Sequence, residues 1–305
     1  MGTPAFACPS LEALLALPDP VVGVVCQPDR PRGRGLALTA PEAKQVALAH
    51  GVPVLQPERL RDPAFQQALA ALAPDLVVVA AYGKILPRAV LDLPRHGCIN
   101  VHASLLPRHR GAAPIAWAIL AGDDSTGVTI MAMNEEMDAG DILLQRATPI
   151  GSDETCGALT ARLARLGAEA LVEAIAALEA GTIRPAPQPA AGVTFAPRIT
   201  REQGRIEWTR PVVELERLVR GLAPAPSAFT TLDGEVLKAH RAALAPHAPG
   251  TPPGSVVVAG PDGIVVATGQ GALRLLEVQL EGRRRLGAAE FLAGHHLAPG
   301  ACLGT

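Results

Sequence analysis

The first 180 residues alternate short apolar runs with stretches of helical periodicity, and this alternation restricts the fold more than any other feature of the sequence. Residues 76–81 form a continuous apolar run, as expected for a strand that is covered on both faces. Asp62 followed by Pro63 predicts the start of a helix, and residues 153–180 predict a long helix that ends at Gly181. Strands that alternate with helices in this way predict a parallel sheet in an α/β fold.

The character of the sequence changes after residue 181. Residues 182–203 are rich in proline and carry no apolar period, which predicts an extended linker. After a helix at 211–222, short β-type runs are separated by Asp-Gly pairs at 233–234 and 262–263, which favour hairpin turns. Short strands with such turns predict a small barrel. We therefore expect a domain over residues 1–181, a linker over 182–203 and a smaller β-barrel domain over 204–305.

Charge and composition exclude several classes of protein. The 27 basic and 29 acidic residues give a net charge of −2, which excludes a protein held to nucleic acid by bulk charge but leaves local basic patches open. We expect no membrane span, because no run of about 18 apolar residues exists, and no secretory signal. The five scattered cysteines form no C-x-x-C pair, so we expect reduced thiols in a cytoplasmic protein and no metal site.

Side chains that can perform acid–base chemistry are concentrated between residues 99 and 141. Asn100 and His102 lie two apart on a predicted strand, so both point to one face near its carboxyl end, where open α/β sheets bind ligands. An imidazole shifts a proton near neutral pH, and an amide donates a fixed hydrogen bond to a developing oxyanion. Asp138 follows another predicted strand, and we expect it to face His102 across the same edge of the sheet.

Each of these residues also has an ordinary structural explanation. Residue types alone favour a strand-end histidine, a turn-forming asparagine and an aspartate that caps a turn. The surroundings change that balance, because a tight loop at residues 104–107 and two arginines lead directly into the start of a helix.

The run from Asn100 to Asp141 resembles the folate-dependent formyltransferase family. The likeness extends to residues 2–4, 27–35 and 81–87 and covers essentially the whole chain. It implies a Rossmann-like formyltransferase domain with a parallel sheet, followed by an OB-like β-barrel domain. It also implies transfer of the formyl group of 10-formyltetrahydrofolate to an amine, without a metal. The linker and β-rich tail are similar to those of the family members that formylate the α-amino group of methionyl initiator tRNA for translation initiation in the cytoplasm.

The resemblance also assigns roles to residues. The catalytic residues of the family match Asn100, His102 and Asp138. Asn100 and a protonated His102 would stabilise a tetrahedral oxyanion, while Asp138 would hold His102 in its charged form and help take the proton of the amine. The folate-contacting stretch of the family matches Ser104, Leu105, Leu106 and Pro107, and we expect Tyr82, Ile85 and Leu86 to contribute to the same pocket.

Contacts with RNA are expected from a few placed arginines. Arg30, Arg32 and Arg34 lie in a Pro/Gly-rich loop that would contact phosphates of the acceptor stem. The family usually continues this loop with lysines, whereas this chain has Leu36 and Ala37, which removes charge. In the C-terminal domain, phosphate contacts and solvated surface are equally supported for two groups of arginines: Arg198, Arg201 and Arg205, and Arg283, Arg284 and Arg285.

Family members begin with a hydrophobic strand that ends just before Gly-Thr-Pro, and here this tripeptide occupies residues 2–4. We therefore expect the chain as given to lack the first strand and to leave a sheet edge or an unfilled slot. Alternative functions are a formyltransferase acting on glycinamide ribonucleotide or an amino sugar, a formyl-tetrahydrofolate hydrolase or dehydrogenase, and an inactive RNA-binding fragment. The intact catalytic set argues against the last of these, and we expect a monomer.

Overall fold

The computed structural model describes residues 1–32, 37–246 and 250–304. They form two units: Met1–Pro114, Ser125–Pro149 and Thr160–Pro197 make up the first, and Ile115–Asp124, Ile150–Leu159 and Arg198–Thr305 the second. The boundary between the units falls within the predicted linker: residues 182–197 belong to the first unit and residues 198–203 to the second.

The first unit follows the predicted alternation of strands and helices. Its strands are β1 (Val24–Val25), β2 (Arg30–Arg32), β3 (Ala37–Thr39), β4 (Val54–Leu55), β5 (Val77–Val79), β6 (Cys98–His102), β7 (Ser125–Ala132) and β8 (Ile142–Pro149). The helices up to residue 180 are α1 (Cys8–Leu15), α2 (Glu42–Ala49), α3 (Pro63–Ala71), α4 (Arg88–Leu91), α5 (Pro114–Ala121) and α6 (Cys156–Glu179). Nearly all of α5 and the first residues of α6 belong to the second unit.

The predicted helix start at Asp62 and the predicted helix end at Gly181 are confirmed by local geometry. Asp62 caps α3, because its carboxylate accepts the backbone N–H of Ala64 at 3.0 Å and Pro63 occupies the first helical position. Gly51 and Gly181 follow α2 and α6 with φ of 68° and 63°, the left-handed conformation that commonly ends a helix.

The strands of the first unit form three separate sheets, β1-β4, β2-β3 and β5-β6-β7-β8, and they are parallel only in part. β1 pairs with β4 and β5 with β6 in parallel, as predicted, whereas β7 is antiparallel to both β6 and β8. Ala132 at the end of β7 therefore lies opposite Ile99, at the far end of β6 from His102. The predicted reason for the nearness of Asp138 and His102, a shared carboxyl edge, is wrong. The loop after β7 instead turns back toward His102.

Met1 and Gly2 lie between β1 and β5. The Gly2 N–H donates to the carbonyl of Val25, and the Ala80 N–H donates to the carbonyl of Met1, both at 2.9 Å. Beside them lies a mostly apolar cavity of about 330 Å³. Its lining includes Leu11, Val22, Val24, Leu72, Val77 and Ile175. The absence of a first strand stays a prediction.

The second unit is built on an antiparallel sheet of six strands. Its remaining elements are α7 (Val212–Leu222), β9 (Ala228–Leu232), β10 (Glu235–Ala245), β11 (Val256–Gly260), β12 (Gly263–Ala267), β13 (Ala272–Leu280), β14 (Leu286–Gly287) and α8 (Ala288–Gly294). The strand order is β11-β12-β13-β10-β9, with β14 paired to β13. The predicted hairpin turn at Asp233-Gly234 is confirmed. The second hairpin turns one residue earlier than predicted, at Pro261-Asp262, because Gly260 pairs with Gly263. Within the described ranges the edge strands β9 and β11 do not pair, so the sheet is open.

The core of this sheet is apolar and centred on Leu215, Leu222, Ile264, Leu273 and Phe291, each no more than 1% exposed. No helix in the described part of the chain is both long and apolar enough to cross a bilayer.

Candidate active site

β6 presents Asn100 and His102 on one face, as predicted. All five residues of β6 are buried, and the intervening Val101 packs on the opposite face against α6. Gly167 of α6 makes room for it, because a methyl group at that position would lie 2.7 Å from Cγ1 of Val101. Asn100 is buried, with 9% of its surface exposed.

His102 is oriented by the loop that follows β6. Its Nε2 atom lies 3.0 Å from the carbonyl oxygen of His109, and because a carbonyl only accepts, Nε2 carries the proton. Nδ1 then faces Oδ1 of Asp138 at 3.7 Å, longer than a hydrogen bond. Burial lowers the pKa of His102 below its usual 6.5, and the Asp138 charge offsets this only in part. This direction favours a neutral ring at neutral pH, whereas the resemblance implied a protonated one.

Asp138 is held in a conformation that residues with a Cβ seldom adopt. Its φ is 51°, in the left-handed region. Its Oδ2 atom accepts the backbone N–H of Gly111 at 2.8 Å. Gly111 has a φ of 126°, and a methyl group there would lie 2.7 Å from the carbonyl oxygen of Ala196. Only glycine fits at this close approach, so Gly111 fixes the carboxylate from the side away from His102.

The loop at residues 104–107 is anchored to β7 and β8. The hydroxyl of Ser104 is fully buried and donates to the carbonyl of Arg108 at 2.6 Å. Thr129 accepts the N–H of Leu106 at 3.1 Å, and Gln145 donates to the carbonyl of Leu106 at 2.9 Å. Ser104 and Leu106 thus shape the loop.

The other two residues of the predicted folate-contacting stretch, Leu105 and Pro107, are only partly buried. They retain the surface that a ligand needs, and their contact with folate stays a prediction.

The second predicted group of folate contacts is mostly buried. Tyr82 and Leu86 are each 2% exposed and belong to an apolar cluster with Phe65 and Val90. No described residue accepts a hydrogen bond from the Tyr82 hydroxyl, and burial raises the pKa of Tyr82 to about 12. Ile85 is 77% exposed. Of the three residues, Ile85 alone presents its side chain to an incoming molecule in this structure.

The predicted RNA loop begins as a short hairpin. β2 pairs antiparallel with β3 and contains Arg30 and Arg32, whereas Arg34 lies outside the described residues. Arg30 is exposed and lies 3.9 Å from the carboxylate of Glu58.

The base of this hairpin is tied to its neighbours by charge-assisted hydrogen bonds. Asp29 accepts from Nζ of Lys44 at 2.8 Å and from Nε2 of Gln56 at 2.7 Å, and these bonds lower the pKa of the Asp29 carboxyl. Arg30, which directly follows Asp29, is therefore carried on a backbone tied at its base.

Three of the six candidate arginines of the second unit are paired with carboxylates. Arg201 lies 2.9 Å from Glu281, and Arg284 and Arg285 are paired with Glu290 and Glu277. These pairings favour the solvated-surface explanation for the three arginines.

Several residues at the site were not predicted as functional. The backbone N–H of His109 donates to the hydroxyl of Thr194 at 2.8 Å, and Gln188 donates to the carbonyl of Asp138 at 2.8 Å. Thr194, the acceptor of the first bond, and Gln188, the donor of the second, both lie in the proline-rich segment after α6. No periodicity or motif in that segment indicated a contact with a loop 50 to 85 residues away. Within the described ranges, His, Cys, Asp and Glu residues form no group of three that suits a metal ion.

Comparison with known proteins assigns the chain to a family. The chain matches the formyl transferase model over residues 12–175 and the formyl transferase C-terminal domain over residues 198–296. It therefore belongs to the formyl transferase family, as the sequence motifs predicted.

Relatives within that family are similar along their whole length. The chain is 54% identical over 300 residues to the methionyl-tRNA formyltransferase of Myxococcus xanthus, covering 98% of this chain and 95% of that protein. It is 48% identical over 304 residues to the methionyl-tRNA formyltransferase of Geobacter metallireducens, covering 100% and 97%.

The fold is also similar to that of a solved structure, the sugar 3N-formyl transferase WlaRD, which was crystallised with dTDP and 5-N-formyl-tetrahydrofolate. The TM-score is 0.68 at 15% identity, covering 93% of this chain and 97% of that one.

Proposed function

We propose that this protein transfers the formyl group of 10-formyltetrahydrofolate to the α-amino group of methionyl initiator tRNA. The observation that carries the proposal is the full-length similarity to methionyl-tRNA formyltransferases at up to 54% identity, together with Asn100, His102 and Asp138 in one place. The compartment would be the cytoplasm, the process translation initiation and the active form a monomer. The second unit would act as an OB-like tRNA-binding domain.

The chemistry follows from the tautomer of His102. The amine nitrogen bonds to the formyl carbon, and Asn100 donates a hydrogen bond to the oxygen that becomes negative, a role worth roughly 3–4 kcal/mol. The neutral Nδ1 of His102 accepts the proton that the amine loses. The resulting imidazolium is stabilised by Asp138, which lies 3.7 Å away.

The second half of the reaction returns that proton. The bond between the formyl carbon and N10 of the folate breaks, and N10 receives a proton as it leaves. The products are a formamide on the methionine and tetrahydrofolate, so atoms and charge balance, and His102 is neutral again. Because Nε2 stays bound to the carbonyl of His109, only Nδ1 exchanges protons with the substrates.

The acceptor is tested by its products. The purified chain is incubated with 10-formyltetrahydrofolate and methionyl initiator tRNA, and formyl-methionine is measured after deacylation. Uncharged initiator tRNA and methionyl elongator tRNA serve as controls. Formylation of glycinamide ribonucleotide or an amino sugar instead would assign the alternative acceptors, and release of formate without an acceptor would identify a hydrolase. RNA binding without any of these products would support the remaining alternative, an inactive RNA-binding fragment.

A further inference from the structure

Gln188 joins the two loops that hold the catalytic carboxylate. Its Nε2 donates to the carbonyl oxygens of Asp138 and Gly140, both at 2.8 Å. Its Oε1 accepts from Nε of Arg110 at 3.0 Å and from Nη2 of Arg110 at 2.7 Å. These four hydrogen bonds use both N–H donors and both lone pairs of the amide. A side chain saturated in this way has one orientation.

The segment around Gln188 is itself fixed on both sides. The N–H groups of Ile142 and Ala186 donate to each other's carbonyl oxygens at 2.8 and 2.9 Å. Further along, the N–H of Arg110 donates to Thr194 at 2.9 Å, and the N–H of Ala196 donates to Arg110 at 2.7 Å. We call residues 186–196 the strap. Gln188 lies between its two anchored ends and is carried by a rigid backbone.

The strap reaches Asp138 by two routes. The first is direct, through the Asp138 carbonyl. The second passes through Arg110, whose neighbour Gly111 donates its N–H to Oδ2 of Asp138 at 2.8 Å. Gln188 therefore sets the spacing between the loop that carries the carboxylate and the loop that binds it.

We propose that Gln188 is a positioning residue that holds Asp138 at its distance from His102 during formyl transfer. Two observations support this. Asp138 occupies the left-handed region with a φ of 51°, which a residue with a Cβ leaves readily unless its peptide groups are held. The amide of Gln188 binds the carbonyl of the 138–139 peptide, which such a relaxation would rotate, and also the carbonyl of Gly140 two residues further on. The proposal rests on the proposed function for its kinetic part only.

The test replaces the amide without adding charge. Gln188→Met keeps the length of the side chain and removes all four hydrogen bonds. We expect kcat to fall by about 10- to 100-fold while the KM for both substrates stays within about threefold, because the variant loosens a group that acts on the bound substrates. Gln66→Met is the matched control, since the Gln66 amide donates to the backbone carbonyl of Leu60 away from the site.

A second readout does not depend on activity. Asp138 and His109 are the titratable groups that act on His102, and the charge of Asp138 raises its pKa. A displaced Asp138 lowers the titration midpoint of His102, which NMR follows in the ligand-free protein. If Gln188→Met unfolds at the assay temperature, Gln188→Asn, which is too short to bind both loops, replaces it in both measurements.

The outcomes separate the two proposals. If the wild-type protein does not formylate methionyl-tRNA, the proposed function is overturned, and the titration of His102 remains as the test of Gln188. A variant with unchanged kcat and an unchanged His102 midpoint overturns the positioning role, even if its thermal stability is lower. A lower kcat with a lower midpoint supports it.

Discussion

Nδ1 of His102 and Oδ1 of Asp138 are 3.7 Å apart, close enough for their charges to interact and too far apart for a hydrogen bond between them. The gap leaves the lone pair of Nδ1 available to a third group. A direct hydrogen bond would engage that lone pair or require a protonated ring. The distance is therefore suited to a base that takes a proton from a substrate and is then stabilised as a cation.

The titration of His102 follows from this arrangement. Burial lowers its folded-state pKa below 6.5, so the ring stays neutral at neutral pH and takes up a proton only as the pH falls through that lowered value. We expect an NMR midpoint below 6.5 and a loss of kcat over the same range. Asp138→Asn removes the charge that raises the pKa, so the midpoint moves lower still. A wild-type midpoint above 6.5 would contradict the assignment, and the signal missing in His102→Ala identifies the resonance.

Removal of the imidazole separates chemistry from binding. We expect His102→Ala to lower kcat by about 10²- to 10⁴-fold, because the proton acceptor is lost, while the Kd for tRNA stays within about threefold. Thermal unfolding of the variant checks that the loss of the bond to the His109 carbonyl leaves the fold intact. His50→Ala, at an exposed residue at the end of α2, is the control. Near-normal turnover in His102→Ala would remove His102 from the mechanism.

Local periodicity predicts the parts of the site that lie within one strand. Asn100 and His102 share a face because side chains alternate along β6, and the alternation is visible in the sequence. Asp138 was predicted to be near His102 for a reason that the antiparallel β7 contradicts. Strand direction depends on long-range packing that a single sequence does not display, so the path of the loop after β7 could not be derived.

Gln188 and Thr194 illustrate a second limit to predicting this site from the sequence. They lie in the proline-rich stretch predicted as an extended linker, and extended polar sequence has the same pattern whether it crosses solvent or a catalytic loop. Their hydrogen bonds join residues 50 and 85 positions apart. Contacts of this kind leave no periodic trace in the sequence.

Removal of the Tyr82 hydroxyl distinguishes a residue that only packs in the core from one that binds the formyl donor. No described residue pairs with the Tyr82 hydroxyl, and leaving such a group buried costs about 1–3 kcal/mol. Tyr82→Phe should therefore leave the protein equally or more stable in urea unfolding, with the KM for the formyl donor unchanged. A KM raised tenfold would instead make the hydroxyl a folate contact. Ile85→Ala, at a side chain that is 77% exposed, should raise that KM severalfold without a change in stability.

The hairpin arginine is tested through salt. Arg30 is exposed, and the carboxylate of Glu58 lies 3.9 Å away, so the guanidinium is available to a phosphate. We expect Arg30→Ala to weaken tRNA binding and to reduce the slope of log K against log salt by about 1, because one phosphate contact releases about one counterion.

Arg95→Ala is the matched control, since Arg95 is equally exposed and lies 2.9 Å from Asp75. Binding is measured at four salt concentrations, with the formyl-methionine yield at saturating tRNA as a check on chemistry. Equal slopes for Arg30→Ala, Arg95→Ala and the wild type would exclude Arg30 from the RNA contact. A reduced yield at saturation in Arg30→Ala would place its effect in the active site instead.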